Sequence, residues 1–449
     1  MKKIISMKSS KHIAIIGGGP AGLAVGYFAK KYGCKVAVYE SSNTIGGNCR
    51  TIKEGEFRYD TGAHRLHDKN ERVTSLIKSM LGNSLLKVKK PSKISFNGVM
   101  IDFPLNLSNI ISNLNIIFLL KIIGENLFKW ASPKANSVSF KELAYQKYGK
   151  TLSELFLISY TEKLWGASAS HLSPSIAGGR LRRLTIGSLL GSWFLGKRYK
   201  PRHLEGDFYY PVLGFGEIFD AFGKEIKQEN IFLEMPIVKI NHNHKRIKSI
   251  ESRDGNRVTL DELVSTMPIH ALAKAMFPPP PDYILDEIEM LDYRPIMICV
   301  LFLDMERFSK NASIYFPDKN CPFTRIYEPK NRSEKMAPNE KTCIVVEIPV
   351  GTDKINIETD KNNAYEMVVE YLTKNNFLEK KSIINYNIIE VKYAYPIIYK
   401  DTVNRISKIS SYFQEFENLY LIGRNADFEY LHTHHIIDRS EKLVNKMVS

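Results

Sequence analysis

A glycine-rich segment near the start of the chain constrains its fold more than any other feature. Residues 12–17 are predicted to form a short apolar strand that runs into Gly-Gly-Gly-Pro-Ala-Gly at positions 17–22. A helical stretch follows, and then a second predicted strand at residues 35–39 that ends at Glu40. This strand–turn–helix–strand order is typical of a dinucleotide-binding unit, in which the acidic residue accepts hydrogen bonds from a ribose.

The residues of this motif have separate predicted roles. Gly17 permits the tight turn, Gly19 lets a pyrophosphate approach the backbone, and Gly22 allows the helix to pack closely on the strand. Pro20 and Ala21 begin the helix, whose free N–H groups and positive dipole end attract phosphate. A glycine-rich turn of purely structural use is the alternative.

Two further motifs favour one dinucleotide over the other. Gly46, Gly47, Asn48 and Arg50 follow soon after the acidic residue and offer a second stretch of open backbone to a cofactor. At the other end of the chain, a predicted strand at residues 418–422 runs into Gly423-Arg424 and a final helix. Such a distant motif suits the middle of a long, extended cofactor and is not needed for a nicotinamide nucleotide. FAD is therefore predicted.

The composition limits the functional classes. Of the 449 residues, 44% are hydrophobic and 25% charged, which is typical of a globular protein. The five cysteines include no Cys-x-x-Cys pair, which predicts a reducing compartment and no zinc site. The net charge is +15, without basic clusters interleaved with aromatic residues, which predicts no nucleic-acid partner. An anionic substrate such as a nucleotide sugar, an acidic membrane face and a solvated lysine-rich surface remain as explanations.

No stretch reaches the length of a membrane span, and the basic residues 1–11 lack the apolar core of a secretory signal. Residues 110–123, continued by apolar residues up to Trp130, predict a strongly apolar helix. Packing within a core or domain cap is one interpretation, and docking at a membrane surface is the other. We predict a cytoplasmic protein and leave membrane association open.

The predicted fold class is α/β, with the FAD-binding domain assembled from three separated pieces. These pieces are residues 11–74, 226–280 and 411–449. Short strands at residues 237–240, 247–253 and 262–266 around the turn at residues 254–256 predict a β-meander in the second piece, where Val238 is a predicted cofactor contact. Two insertions separate the pieces: a mostly helical one at residues 75–225 and an antiparallel-sheet substrate domain at residues 281–410, with predicted strands at residues 296–303 and 342–349.

Several motifs occur in an order that resembles the UDP-galactopyranose mutases. They lie at residues 59–67, 160–166, 206–216 and 423–432. The mutases are flavoenzymes that interconvert the pyranose and furanose rings of a nucleotide sugar. The wider superfamily of flavin amine oxidases and protoporphyrinogen oxidases shares the first glycine motifs but lacks Tyr-Thr-x-Lys-x-Trp, which begins here at Tyr160. The resemblance implies a Rossmann-like FAD-binding domain of the second glutathione reductase type.

The resemblance also implies residue roles. Tyr160 would stack on uracil, Trp165 would line the sugar site, and His64 would lie near the flavin ring. Arg180 and Arg325 would bind the diphosphate, because two guanidinium groups suit bidentate contact with it. The remaining implied contacts are Tyr395 and Tyr430 to the diphosphate, and Gly62, Ala63, Leu431 and His432 to the cofactor. No metal site is predicted at His432, His434 and His435, because no carboxylate or cysteine accompanies them at a useful spacing.

By resemblance, reduced flavin N5 would attack the anomeric carbon and expel the nucleotide diphosphate. The flavin–sugar adduct would then open and reclose as the other ring form, in surface glycan biosynthesis. NAD(P)H stays open as the electron donor. The chain departs from the mutases at Gly423–Asp427 and at Thr433-His434-His435. Two alternatives therefore remain: a flavin oxidoreductase of the amine oxidase, protoporphyrinogen oxidase or desaturase type with a hydrophobic substrate, and a flavin-binding scaffold without turnover.

Overall fold

The computed structural model describes residues 11–96, 98–103, 116–127, 137–177, 207–351 and 357–449. In chain order, the strands are β1 (His12–Ile16), β2 (Lys35–Tyr39), β3 (Thr51–Glu54), β4 (Phe57–Asp60), β5 (Leu85–Val88), β6 (Ser92–Phe96), β7 (Val99–Phe103), β8 (Phe208–Pro211), β9 (Ile231–Phe232), β10 (Ile237–Asn243), β11 (Arg246–Ser252), β12 (Arg257–Thr259), β13 (Glu262–Ser265), β14 (Met276–Phe277), β15 (Tyr293–Leu303), β16 (Ser313–Tyr315), β17 (Arg325–Tyr327), β18 (Thr342–Pro349), β19 (Ile383–Pro396) and β20 (Leu419–Leu421).

The helices of the described residues alternate with these strands. They are α1 (Pro20–Lys31), α2 (Glu71–Leu81), α3 (Ile116–Leu127), α4 (Phe140–Tyr148), α5 (Lys150–Ser153), α6 (Ser159–Trp165), α7 (Glu217–Ile226), α8 (Ile269–Ala275), α9 (Asp282–Glu289), α10 (Ile357–Lys374), α11 (Thr402–Gln414) and α12 (Thr433–Val448). Within this part of the chain, no helix is both long and apolar enough to cross a membrane.

A five-stranded parallel sheet organises the molecule. Its order is β20-β13-β1-β2-β9, so its strands come from all three predicted cofactor-binding pieces. The strands are apolar on both faces, as parallel sheets require when helices cover both sides. Ile13 and Ile15 of β1 pack in one core with α1 and α12, while Ala14 and Ile16 face a second core with α11. The predicted α/β class is confirmed.

A small four-stranded sheet, ordered β12-β11-β10-β14, lies beside the parallel sheet. Strands β10, β11 and β12 pair antiparallel, so a meander surrounds the turn at residues 254–256 as predicted. Its third strand is β12, and the prediction that residues 262–266 form it is wrong, because β13 pairs parallel with β1. The connection between the two sheets is therefore made inside the second predicted piece.

A seven-stranded sheet, ordered β19-β15-β18-β17-β16-β6-β7, forms the other half of the molecule. The strands predicted at residues 296–303 and 342–349 are confirmed as parts of β15 and β18. Strands β6 and β7 join this sheet from the predicted helical insertion, because β6 pairs parallel with the distant β16. That pairing partner is not visible in a local sequence pattern, since strand formation depends strongly on its neighbours.

Candidate cofactor and substrate site

The three glycine motifs meet at the carboxyl end of the parallel sheet. The amide of Gly46 donates a hydrogen bond of 2.8 Å to the carbonyl of Gly18. A Cβ atom added at Gly47 would lie 3.1 Å from the Gly19 Cα, and one added at Gly423 would lie 3.0 Å from the Ala21 Cβ. Motifs from opposite ends of the sequence therefore line one crevice at the start of α1.

Two of the predicted glycine roles are confirmed by local geometry. Gly17 has a φ of 104°, which L side chains rarely adopt, and a Cβ there would lie 2.1 Å from Thr266 Oγ1. A Cβ on Gly22 would lie 1.9 Å from the carbonyl oxygen of Gly17. Only glycine therefore permits this turn and this close approach of α1 to β1.

The start of α1 fits a phosphate-bearing cofactor. No side chain caps this helix at Gly19, so its first N–H groups stay available to an anion. A Cβ added at Gly19 would meet only the Gly47 Cα, at 3.8 Å, among the neighbouring atoms. The space in front of this turn is therefore open and lined by backbone.

Glu40 directly follows β2 and lies beside this turn. Its Oε2 accepts a 2.6 Å hydrogen bond from the Gly18 amide, and its Oε1 accepts from the amide and hydroxyl of Ser42 at 2.9 and 2.8 Å. The carboxylate is held in one position at the edge of the crevice. Its predicted contact with a ribose stays a prediction.

Asn48 and Arg424 use their side chains to join the cofactor crevice to β19. Asn48 Nδ2 donates to the Tyr393 carbonyl at 3.0 Å, and Arg424 Nη1 donates to the Ala394 carbonyl at 3.2 Å. Arg424 also donates to the Leu431 carbonyl through Nη2 at 2.7 Å. In this arrangement the two side chains bind protein carbonyls, and cofactor contacts are left to the backbone around them.

His64 lies between the crevice and the second sheet. Its Nε2 lies 2.8 Å from the Asn48 carbonyl, to which it donates, and its ring stacks on Phe215 at a centroid distance of 5.2 Å. Burial, followed by the nearby charge of Arg424, lowers the pKa of His64 to about 3. The imidazole is therefore neutral at physiological pH and offers no proton as an acid.

A buried arginine behind His64 has no counterpart in the motif analysis. Arg332 Nη1 donates to the His64 carbonyl at 2.9 Å, and its guanidinium lies 4.1 Å from the centre of the Tyr327 ring. The side chain is 0% exposed, and Asp60 Oδ2 lies 3.9 Å from Nη1. Nε and Nη2 have no hydrogen-bond partner within the described residues. The residues next to Arg332 in the sequence do not indicate that its guanidinium is buried.

Asp60 completes this buried pair. It accepts hydrogen bonds from Thr51 Oγ1 at 2.7 Å, the Tyr210 hydroxyl at 2.6 Å and the Phe215 amide at 2.9 Å. Burial raises the pKa of Asp60, and the charge of Arg332 opposes that shift. The pair anchors the turn that carries His64.

Three aromatic side chains pack against one another in a cluster beside this turn. The ring centroids of Trp165 lie 5.7 Å from Tyr395 and 5.4 Å from Tyr430, and the two tyrosine rings lie 5.8 Å apart. The Arg424 guanidinium lies 5.1 Å from the centre of the Tyr430 ring. The structure thus brings together residues predicted from three separate motifs.

Arg325 is the cation of this part of the molecule, and it pairs with Glu347. Its Nη2 donates to both carboxylate oxygens of Glu347 at 2.6 Å, and its Nε donates to Oε2 at 3.1 Å. Within the described residues, Nη1 has no hydrogen-bond partner in the structure and is the nitrogen left for a ligand. Glu347 Oε1 also accepts from the Ala63 amide at 3.0 Å, which links this pair to the His64 turn. Sequence reasoning missed Glu347.

Tyr160 lies near this arginine. Its ring centroid is 5.8 Å from that of Tyr315, whose ring centre lies 5.8 Å from the Arg325 guanidinium. Burial raises the pKa of Tyr160, while the Arg325 charge opposes that shift. Tyr160 is therefore a protonated, half-buried ring beside a cation.

The remaining predicted residues have varied positions. Arg180 lies outside the described residues. Val238 is an exposed residue on β10, and Arg50 follows the second glycine turn. His432 precedes α12, and the rings of His434 and His435 lie 4.0 Å apart. Across the described ranges, no group of three His, Cys, Asp or Glu side chains has the geometry of a metal site.

Three glycine turns lie at the carboxyl edge of the parallel sheet, and an aromatic cluster lies beside the second sheet. Glycine turns in this position are typical of proteins that bind an extended dinucleotide. Residues 20–364 match the family described as flavin containing amine oxidoreductase, and the chain belongs to this family. Membership implies FAD as the cofactor, and the uncapped helix and open glycine turn fit its pyrophosphate.

Individual relatives are distant. The chain is 25% identical over 235 residues to the Klebsiella pneumoniae protein named "Probable UDP-galactopyranose mutase", covering 51% of this chain and 56% of that protein. It is 23% identical over 339 residues to the mitochondrial protoporphyrinogen oxidase of Nicotiana tabacum, covering 65% of each. The chain thus spans less than two thirds of either relative. A crystal structure of reduced UDP-galactopyranose mutase superposes with a TM-score of 0.85 at 18% identity, over 98% of this chain and 94% of that one. This likeness confirms the fold.

Proposed function

We propose that this flavoenzyme acts on a nucleotide-diphosphate sugar and interconverts its ring forms, as the mutases do. The observation that supports the proposal is the clustering of Trp165, Tyr395 and Tyr430, with Arg325 and Tyr160 near Tyr315. An aromatic face suits a uracil base, and a buried guanidinium suits a diphosphate. The partner proposed here is an anionic nucleotide sugar.

Each side chain of the cluster has a separate proposed role. Tyr160 stacks on the base, and Arg325 neutralises the diphosphate through Nη1 while Glu347 holds its other nitrogens. Trp165 and the two tyrosines exclude water from the sugar. Reduced FAD would supply the nucleophile for the ring interconversion, and the protein would contribute positioning and charge. His64 is not required to act as an acid in this scheme, which agrees with its neutral imidazole.

A second candidate is net oxidation of a hydrophobic substrate. The specific observation in its favour is the Arg325–Glu347 pair, since bidentate contact with a carboxylate leaves little free charge for a diphosphate. The chain also has Thr433-His434-His435 where the mutases have acidic residues. The match to a protoporphyrinogen oxidase supports the same candidate.

One experiment separates these functions. FAD-loaded protein is reduced with dithionite and incubated anaerobically with UDP-galactopyranose and, separately, with UDP-galactofuranose. We expect many turnovers per flavin, with a product of unchanged mass resolved by chromatography. Peroxide released in step with consumption of an amine or porphyrinogen in air, without isomerisation under any reductant, would contradict the proposal and support the oxidase.

A further inference from the structure

Helix α3 presents an apolar face to solvent. Ile116, Ile117 and Leu120 are 64%, 57% and 63% exposed, and they lie on one side of the helix. Exposed apolar patches of this kind on a soluble protein mark an interaction site. The outward face therefore requires a partner.

The opposite face of α3 is already occupied. Leu119 and Ile122 pack into the core that contains β6, β7 and α4. The acidic residue of the helix, Glu125, accepts hydrogen bonds of 2.9 and 2.7 Å from the amide and hydroxyl of Thr151 at the start of α5. A surface helix normally turns its charged residues outward and its apolar residues inward. Here the carboxylate is tied to the protein, and large apolar side chains face outward.

The charge around this face indicates which partner covers it. Lys121 is exposed at the edge of the apolar stripe. Residues 116–153 contain six lysines and two glutamates, and the whole chain carries a net charge of +15. Two copies of so basic a chain would repel each other across this face. An exposed apolar stripe bordered by a lysine, on a strongly basic chain, is the pattern of a helix that lies in the surface of an anionic membrane.

We propose that α3 docks this protein on an anionic membrane surface, with Ile116, Ile117 and Leu120 buried at the boundary between headgroups and acyl chains. The docking itself holds for either candidate reaction.

The test uses the full-length, FAD-loaded protein and unilamellar vesicles of phosphatidylcholine with or without one third phosphatidylglycerol. We expect sedimentation with the anionic vesicles and little with the neutral ones, and weaker binding at high salt. Leu120→Asp should lower the vesicle affinity at least tenfold. Lys121→Glu should lower it severalfold, because it reverses a charge at the border of the stripe.

Tyr283→Asp is the matched control, since Tyr283 on α9 is 63% exposed but lies outside the docking face. It should bind vesicles like the wild type. Leu120→Gln, which adds no charge, replaces Leu120→Asp if that variant loses its near-ultraviolet circular dichroism. Equal vesicle binding by the wild type and a folded Leu120 variant would overturn the proposal. A wild-type dimer that becomes monomeric in the Leu120 variant, without vesicle binding, would assign the face to a second copy instead.

Discussion

Gly19 lies in the crevice at the point where the pyrophosphate of the predicted cofactor is expected to bind. A Cβ has room there, with its nearest neighbour at 3.8 Å, so a side chain would point into open space rather than disturb the fold. Gly19→Val should therefore fold but lose FAD, because the branched side chain fills the space needed by the pyrophosphate. The measurement is the ratio of flavin to protein absorbance after purification.

Gly124→Val is the matched control for this change. A Cβ at Gly124 meets no atom within 4 Å, and this position lies on α3, away from the crevice. It should retain FAD. A yellow, FAD-replete Gly19→Val protein would contradict the assignment of the crevice.

Arg332 is the side chain whose removal should cost the most stability in the site. Arg332→Met leaves the buried Asp60 carboxylate without its nearby cation, and breaking a buried pair in this way costs about 3–5 kcal/mol. The free energy of unfolding, measured by urea titration, should fall by that amount at pH 7.5. Arg72→Met, at an exposed arginine paired with Glu441, should cost less than about 1 kcal/mol.

The loss in Arg332→Met should also depend on pH. A carboxyl whose pKa is raised in the folded state prefers to be protonated there, so the folded protein loses stability as pH rises from the unfolded to the folded pKa. Burial already raises the pKa of Asp60, and removal of Arg332 raises it further. The difference from the wild type should therefore shrink as pH falls from 7.5 towards 5. A difference that is constant over this range would show that Asp60 is not the group responsible.

The pairing of β17 with β18 determines how much of the positive charge of Arg325 is available to a ligand. They pair antiparallel with Arg325 directly opposite Glu347, so the register itself creates the ion pair. Arg325→Ala should lower UDP affinity at least tenfold, because a charge-assisted contact is lost and Glu347 is left to repel the anion. Displacement of a fluorescent nucleotide measures this affinity.

Two variants sharpen this test. Glu347→Gln should leave UDP binding equal or tighter, because it frees the guanidinium while keeping an acceptor for the Ala63 amide. Arg307→Ala removes an arginine paired with Glu334 outside the pocket and should have no effect. If Arg325→Ala binds UDP like the wild type, the pocket is not built for nucleotides and the oxidoreductase candidate gains support.

In the whole molecule, cofactor binding depends on packing between the two ends of the chain. Ile437 of α12 is fully buried in the core shared with α1, far in sequence from the first glycine motif. Ile437→Ala should cost about 2–5 kcal/mol of stability. It should also lower the temperature of FAD release, because α12 supports the start of α1. Val403→Ala, on the exposed side of α11, should change neither the unfolding midpoint nor the flavin release temperature.

Local patterns allowed the cofactor-binding unit to be predicted from the sequence. Turn geometry and close packing demand glycine at Gly17 and Gly22, so the chemistry of these positions is visible in their residue types. The strands β1, β2, β15 and β18 were likewise visible as apolar runs. The grouping of Tyr160, Trp165, Arg325, Tyr395 and Tyr430 was predicted through a family resemblance, and the structure clusters Trp165, Tyr395 and Tyr430, with Arg325 and Tyr160 near Tyr315.

Only the tertiary structure revealed the partners of these residues. Glu347 and Arg332 look like ordinary charged residues in the sequence, because their neighbours give no sign that strand register and burial will place them beside Arg325 and His64. The pairing of β6 with β16 and the outward apolar face of α3 have the same origin. The sequence by itself determined the predicted cofactor, because each glycine turn that would bind it is formed by residues that are neighbours in the sequence. The tertiary structure decided the charge around Arg325 and the apolar face that α3 exposes, because both depend on contacts between distant segments.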